Sequence, residues 1–316
     1  MNNNFTPLQP LNTAVLFLVF NRLDTTKRVF AEIKKAKPPR LYIAADGQRK
    51  SVEGEAKKIK EICDYIMVGI DWDCDVKTLF REKNLGCKYA VSSAITWFFE
   101  NEERGIILED DCLPSQSFFW FCEELLEKYK KDETVYMVSG DARTADNVNM
   151  LGDYGFCKYA NIWGWASWAR VWKNYDAEML DWNSLASTLP QQISNYRRTN
   201  KFWKITFEET YNGKIDTWDY QLFFLLFKNK ANSIIPRVNL ITNIGFGDDA
   251  THTLNANSAL ANRKRYEIIT PMKHHPSELT AKKINKFYDK NFYRQETIFV
   301  RLVNKLARIF INRNVL

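Results

Sequence analysis

Three consecutive carboxylates, Glu109-Asp110-Asp111, follow directly on the apolar run Ile106-Ile107-Leu108. Like charges at the end of a buried strand repel one another unless a cation offsets them. A divalent metal carrying a diphosphate suits such a site, because hard cations prefer oxygen ligands and often complete their shell with substrate phosphates. The plainer alternative is an acidic loop, solvated or paired with lysines. Other polar residues close apolar runs in the same way: Asn21-Arg22 after residues 14–20, Asp46 after residues 40–45, and Asp141 shortly after residues 134–138. Ligands of open α/β sheets bind outside the carboxyl ends of the strands, so this spacing gathers all of these residues along one edge.

Further along, Asp216-Thr217-Trp218-Asp219-Tyr220-Gln221 opens a segment with helical character. Asp216 reads as an N-cap and Asp219 as its partner three residues on. Alternatively, Asp219 faces a sugar hydroxyl and acts as a general base. His252, in a glycine-containing loop, is either exposed or a second metal ligand or diphosphate contact; His274 and His275 suggest only solvation. Trp163-Gly164-Trp165 lies in an aromatic stretch that is either core or a platform for an acceptor sugar, with Trp163, Trp165 and Asp141 as the contacts. Nucleic acid is disfavoured, since Lys and Arg do not interleave with these aromatics.

These residues need a scaffold, and the patterning supplies one. Residues 14–20 form a buried strand, the helical spacing of Val29, Phe30 and Ile33 follows, and Pro38-Pro39 ends that helix. Residues 40–45 make a second strand, the charged stretch 50–61 a surface helix, and residues 65–70 a third strand. Asn84-Leu85-Gly86 opens a long helix, and strands at 106–108 and 134–138 flank another helix beginning after Pro114. Strands apolar on both faces, alternating with helices, predict an α/β fold with a mostly parallel sheet covered on both sides. From 152 to 182 the alternation stops; a helix at 218–228, a short strand at 233–235 and a polar loop at 243–257 follow.

The 316 residues, 45% hydrophobic, exclude a disordered tail or a membrane bundle. The net charge of +7 is unevenly spread: from residue 261 onward 13 basic residues face four acidic ones, a balance of +9 that leaves −2 for residues 1–260. Six dispersed cysteines suggest a reduced, cytoplasmic setting. No apolar run is long enough to span a bilayer. Residues 298–311 read as a basic amphipathic helix, which either lies on an anionic membrane surface or docks on the body. The expected organisation is a domain over 1–260, with halves at about 14–145 and 146–260, and a basic helical tail over 261–316.

Across roughly residues 14–255 the order of these features resembles nucleotide-sugar glycosyltransferases of the GT-A fold: Phe20-Asn21-Arg22, Ala45-Asp46-Gly47, Arg81-Glu82-Lys83-Asn84-Leu85-Gly86-Cys87 and Leu108-Glu109-Asp110-Asp111. The chain looks like bacterial members of glycosyltransferase family two, and its Glu-Asp-Asp triplet is similar to that of N-acetylglucosaminyltransferase I. The resemblance implies a Rossmann-like domain in which Asp111 ligates Mn²⁺ or Mg²⁺ on the donor diphosphate. Glu109 and Asp110 would contact the ribose side, Asn21, Arg22 and Asp46 the base and ribose, and Arg81 and Asn84 the base or diphosphate. His252 would approach the metal or diphosphate, and Asp219 matches the general base of inverting members. It further implies a nucleotide diphosphate sugar donor, leaning to uridine; with the basic tail, the expected acceptor is a glycan or lipid-linked glycan at the inner membrane face. The chain lacks the Gln-x-x-Arg-Trp segment of processive synthases, which favours single addition, and the Glu-Asp pair that marks the base in many family-two enzymes. A sugar-nucleotide nucleotidyltransferase usually carries a glycine-rich loop where this chain has Phe20-Asn21-Arg22-Leu23-Asp24. A non-catalytic carbohydrate-binding protein would account for the tryptophans but not the acidic triplet.

Overall fold

In the computed structural model, which describes residues 5–144, 147–246 and 263–294, the opening apolar run forms β1 (Val15–Val19), buried along its whole length. Helix α1 (Leu23–Ala36) buries Thr26, Val29, Phe30, Ile33 and Ala36, the stripe expected at 3.6 residues per turn. It ends at Lys37 in the left-handed region (φ 50°), just before Pro38-Pro39. Then come β2 (Arg40–Ala45), α2 (Glu55–Gly69), β3 (Asp75–Phe80), α3 (Gly86–Asn101) and β4 (Arg104–Glu109). The chain continues through β5 (Cys112–Pro114), α4 (Gln116–Lys128), β6 (Val135–Ser139), β7 (Tyr154–Cys157) and β8 (Trp165–Trp168). Helices α5 (Ala169–Trp172), α6 (Trp182–Leu185), α7 (Leu189–Ile193), α8 (Arg197–Tyr211) and α9 (Asp219–Lys228) follow. Two strands, β9 (Asn232–Pro236) and β10 (Ile241–Asn243), and helix α10 (Glu278–Asn291) complete the described chain.

Eight strands form one sheet in the order β3-β2-β1-β4-β8-β6-β9-β7. All run the same way except β8, antiparallel to both β4 and β6, and β7, antiparallel to β9. The expected mostly parallel α/β sheet is present, and the irregular aromatic stretch is where the two reversed strands enter it. A separate antiparallel ribbon pairs β5 with β10 (Cys112 opposite Asn243), bringing the chain after β10 back against Asp111. There Ile244 N donates to Asp111 O at 2.8 Å.

One expectation needs correction. Residues 65–70 are not a strand: Tyr65 to Gly69 form the end of α2, where Ile62, Cys63 and Ile66 are buried at helical spacing while Val68 is 86% exposed. The third strand is instead β3, at the sheet edge, whose partly exposed residues leave no continuous apolar run. Described residues of the expected basic tail make contacts with the preceding chain. Glu267 accepts from Gln116 N (3.1 Å) and Ser117 N (2.7 Å) in the first turn of α4, and Asn161 Nδ2 donates to Tyr288 OH on α10. Lys158 pairs with Asp289 at 3.1 Å, and even His274, read as merely solvated, meets Glu124 Oε1 at 2.6 Å. Helix 298–311 lies outside the described residues.

Candidate functional site

Parallel pairing of β2, β1 and β4 sets their carboxyl ends side by side, which brings Asp46, Asn21-Arg22 and Glu109-Asp110-Asp111 together. The Arg22 guanidinium joins both aspartates, pairing with Asp110 and reaching Asp111 Oδ2 at 3.0 Å. Burial opposes that charge, but the two carboxylates overcome it and raise the Arg22 pKa. Burial also pushes the Glu109 carboxyl up, reinforced by Asp111 and Asp110, with Arg22 opposing. Asp110 is raised by burial too, against the pull of Arg22. Among the described residues one guanidinium thus answers three carboxylates, and the Glu109 carboxyl has no hydrogen-bond partner. Gly245, delivered by the β5–β10 ribbon, closes over this pair; a Cβ there would overlap Asp111 Oδ2 and crowd Arg22.

Asp46 organises the neighbouring loop. Its carboxylate accepts from Asn84 Nδ2 (2.8 Å), Leu85 N (3.0 Å) and Gly86 N (3.2 Å), tying the end of β2 to the start of α3. Burial raises its pKa against these hydrogen bonds, with Arg81 also pulling it down. Asn84 further donates to Gly47 O at 2.9 Å, and Arg81 donates to Ser93 Oγ at 2.8 Å. Asn21 turns its amide onto Glu55 Oε1 at 2.8 Å. In this conformation Asn21, Arg81 and Asn84 position their neighbours.

Asp219, the first residue of α9, reaches the same region, since its charge acts on Glu109 and on the Cys87 thiol. Burial, then Glu109, Asp219 and Asp216, push Cys87 up to about 12, so it stays protonated at neutral pH. The capping arrangement differs from expectation. Trp218 occupies the N-cap of α9, Thr217 Oγ1 donates to Asp219, and Asp216 instead caps α3, accepting from Lys88 N at 3.2 Å. A long-range cap of this kind leaves no local signature.

Trp165 lies within the sheet, 1% exposed and stacked on Trp218 (centroids 5.7 Å apart), so the core reading applies to it and an open sugar platform does not. Trp163 is half-buried, edge-on to Phe246, with the Arg143 guanidinium 4.9 Å from its ring centroid. Asp141 is buried and pairs with Arg143 at 2.8 Å. The sequence reading missed Arg143, Glu55, Cys87 and Gly245. Of these only Arg143 carried a signal, as the basic residue two places after a strand-end aspartate.

Among the described residues no three His, Cys, Asp or Glu side chains are grouped as a metal cage. His252 lies outside them. The donor set nevertheless fits a hard cation of the kind held by one or two carboxylates plus substrate phosphates. Among the described residues Asp111 Oδ1 meets only the Cys112 thiol at 3.4 Å, the Glu109 carboxyl has no hydrogen-bond partner, and the triplet is short of positive charge.

No family model matches the chain, and no curated protein does. Among solved structures it is similar to the mannosyltransferase PcManGT from Pyrobaculum calidifontis in complex with GDP-Man and Mn²⁺, at 10% identity and TM-score 0.37, over 70% of this chain and 69% of that one. It is also similar to mouse xyloside xylosyltransferase 1, at 10% identity and TM-score 0.34, over 69% and 82% of the two chains. A third likeness is to the inositol-1-phosphate CTP transferase from T. maritima, at 11% identity and TM-score 0.37, over 79% and 94%. At such identities and scores these likenesses carry no weight for the reaction.

Proposed function

We propose that the chain is an inverting glycosyltransferase that moves a single sugar from a nucleotide diphosphate donor, with uridine as the favoured base, to a glycan or lipid-linked glycan. The observation that supports this most is the under-neutralised row Asp46, Arg22 and Glu109-Asp110-Asp111 at one sheet edge, with Asp219 arriving from a separate helix. In this reading Arg22 and Gly245 shape the diphosphate end, and the loop pinned by Asp46 receives the nucleoside. Asn21, Arg81 and Asn84 hold that loop and its supports in place. Asp219 takes the proton of the acceptor hydroxyl as it attacks the anomeric carbon, opposite the departing diphosphate. Mn²⁺ or Mg²⁺ bound at Asp111, with His252 as a further candidate ligand, would offset charge on the leaving group. Trp163 flanks the acceptor.

The tryptophans give a carbohydrate-binding protein little support, because Trp165 and Trp168 are packed inside the sheet. The deciding experiment is a thermal-shift screen of nucleotide diphosphate sugars with and without Mn²⁺, since a ligand that binds only the folded form raises its melting temperature. One donor should give a metal-dependent shift that Asp111→Ala abolishes. Equal shifts in wild type and variant would remove the metal role, and no shift with any donor would remove the glycosyltransferase reading.

A further inference from the structure

The row of functional groups continues beyond the donor edge. Ile107 on β4 is level with Trp165 on β8, and Trp165 with Ser139 on β6. Two residues further toward the carboxyl edge, Glu109, Trp163 and Asp141 stand in line, and Gly140 N donating to Gly164 O at 2.8 Å carries the alignment forward. Asp141, 1% exposed, meets two guanidinium groups: Arg143 Nε at 2.8 Å and Arg263 NH1 at 3.5 Å. Among the described residues it is the carboxylate paired with each of them, so two positive charges face one negative charge. An enclosed excess charge is unfavourable unless another anion answers it.

Arg143 and Arg263 side chains are 12% and 18% exposed, enclosed yet reached by solvent. Arg143 donates only through Nε, and its two terminal nitrogens have no acceptor among the described residues. A guanidinium fork with both terminal nitrogens unused matches a carboxylate or phosphate. Trp163 and Phe292 hold the fork in place, with ring centroids 4.9 and 5.5 Å from it. Tyr220, adjacent to Asp219, feels the charges of both Asp219 and Arg143, so the fork lies on the general-base side of the site.

We propose that Arg143, supported by Arg263 and Trp163, forms a subsite for an anionic group on the acceptor, making the acceptor an acidic saccharide. This rests on the glycosyltransferase reading and narrows its substrate. A uronic acid carboxylate and a sugar phosphate share the required chemistry. Calorimetry on the full chain with methyl β-D-glucuronide, glucose 6-phosphate and methyl β-D-glucoside separates them. At least one acidic probe should bind about tenfold or more tightly than the glucoside, and the better of the two names the source. Arg263→Gln should reduce that preference about tenfold while leaving nucleoside diphosphate binding intact. Arg143→Lys keeps the charge but removes the fork, and should lose the preference without a fall in melting temperature. Arg22→Gln should do the reverse, weakening nucleotide and sparing the acidic sugar. Equal binding of all three probes, or a preference that survives both Arg263→Gln and Arg143→Lys, overturns the proposal. If nucleoside diphosphates bind but no acidic preference exists, this inference alone fails. If no nucleoside diphosphate binds the wild type, the glycosyltransferase reading fails.

Discussion

A single guanidinium, that of Arg22, meets Asp110 and Asp111, while Glu109 beside them is left without a hydrogen-bond partner among the described residues. Small changes at this cluster should therefore be felt by ligands as well as by the fold. Gly245→Ala is the sharpest case, because its Cβ would overlap Asp111 Oδ2 against a backbone held by Ile244 N on Asp111 O. Overpacking of this sort costs about 1–3 kcal/mol. Donor affinity should fall roughly tenfold, measured by calorimetry, with the far-ultraviolet circular dichroism unchanged. Asp219→Asn should lower kcat by ~10²–10⁴-fold in single-turnover assays while donor binding persists. The strand-end carboxylates were legible in the sequence because each closes an apolar run, and a parallel sheet turns that local pattern into a shared edge. Cys87 and Gly245 were not, because their environments come from segments distant in sequence.

At the scale of elements, Glu55 shows how an edge loop is anchored. As the first residue of α2 it accepts from Asn21 Nδ2 at 2.8 Å, Arg49 N at 2.7 Å and the Arg49 guanidinium at 2.5 Å. Burial works to raise its pKa, but these partners outweigh burial and hold it below the usual carboxylate value. A carboxyl depressed by folding stabilises above its unfolded pKa and loses that contribution as pH falls through its folded one. Glu55→Gln should thus cost about 1–3 kcal/mol at pH 7. The difference from wild type should shrink in urea denaturation curves as the pH drops below the ordinary glutamate range. Element type was readable where one face is fully buried, as in α1 and β1. It was misread over residues 65–70, where a short apolar run fits a strand and a helix end equally well, and β3 was missed because an edge strand needs no apolar run.

Over the whole molecule, the uneven charge seen in the sequence divides again in space. Arg263 and Arg265 pair with Asp141 and Glu32, so part of the +9 belongs to the body. No described helix is long and apolar enough to cross a membrane. If Arg301, Lys305, Arg308 and Arg313 draw the protein to anionic lipid, a chain ending after residue 294 should keep its melting temperature and its turnover of a soluble acceptor. It should also stop sedimenting with phosphatidylserine vesicles; continued sedimentation would remove the membrane role. Among the contacts between the earlier and later parts of the chain, one reaches toward Asp219. Asp216, three residues before Asp219, caps α3, and the loop that opens α3 is pinned by Asp46. In the proposed glycosyltransferase, donor seating and base placement would then share one mechanical linkage, which has a signature in the order of events. The donor should add first and the nucleoside diphosphate leave last, so that this product inhibits competitively against the donor and noncompetitively against the acceptor. Asp216→Ala should loosen that order toward random addition.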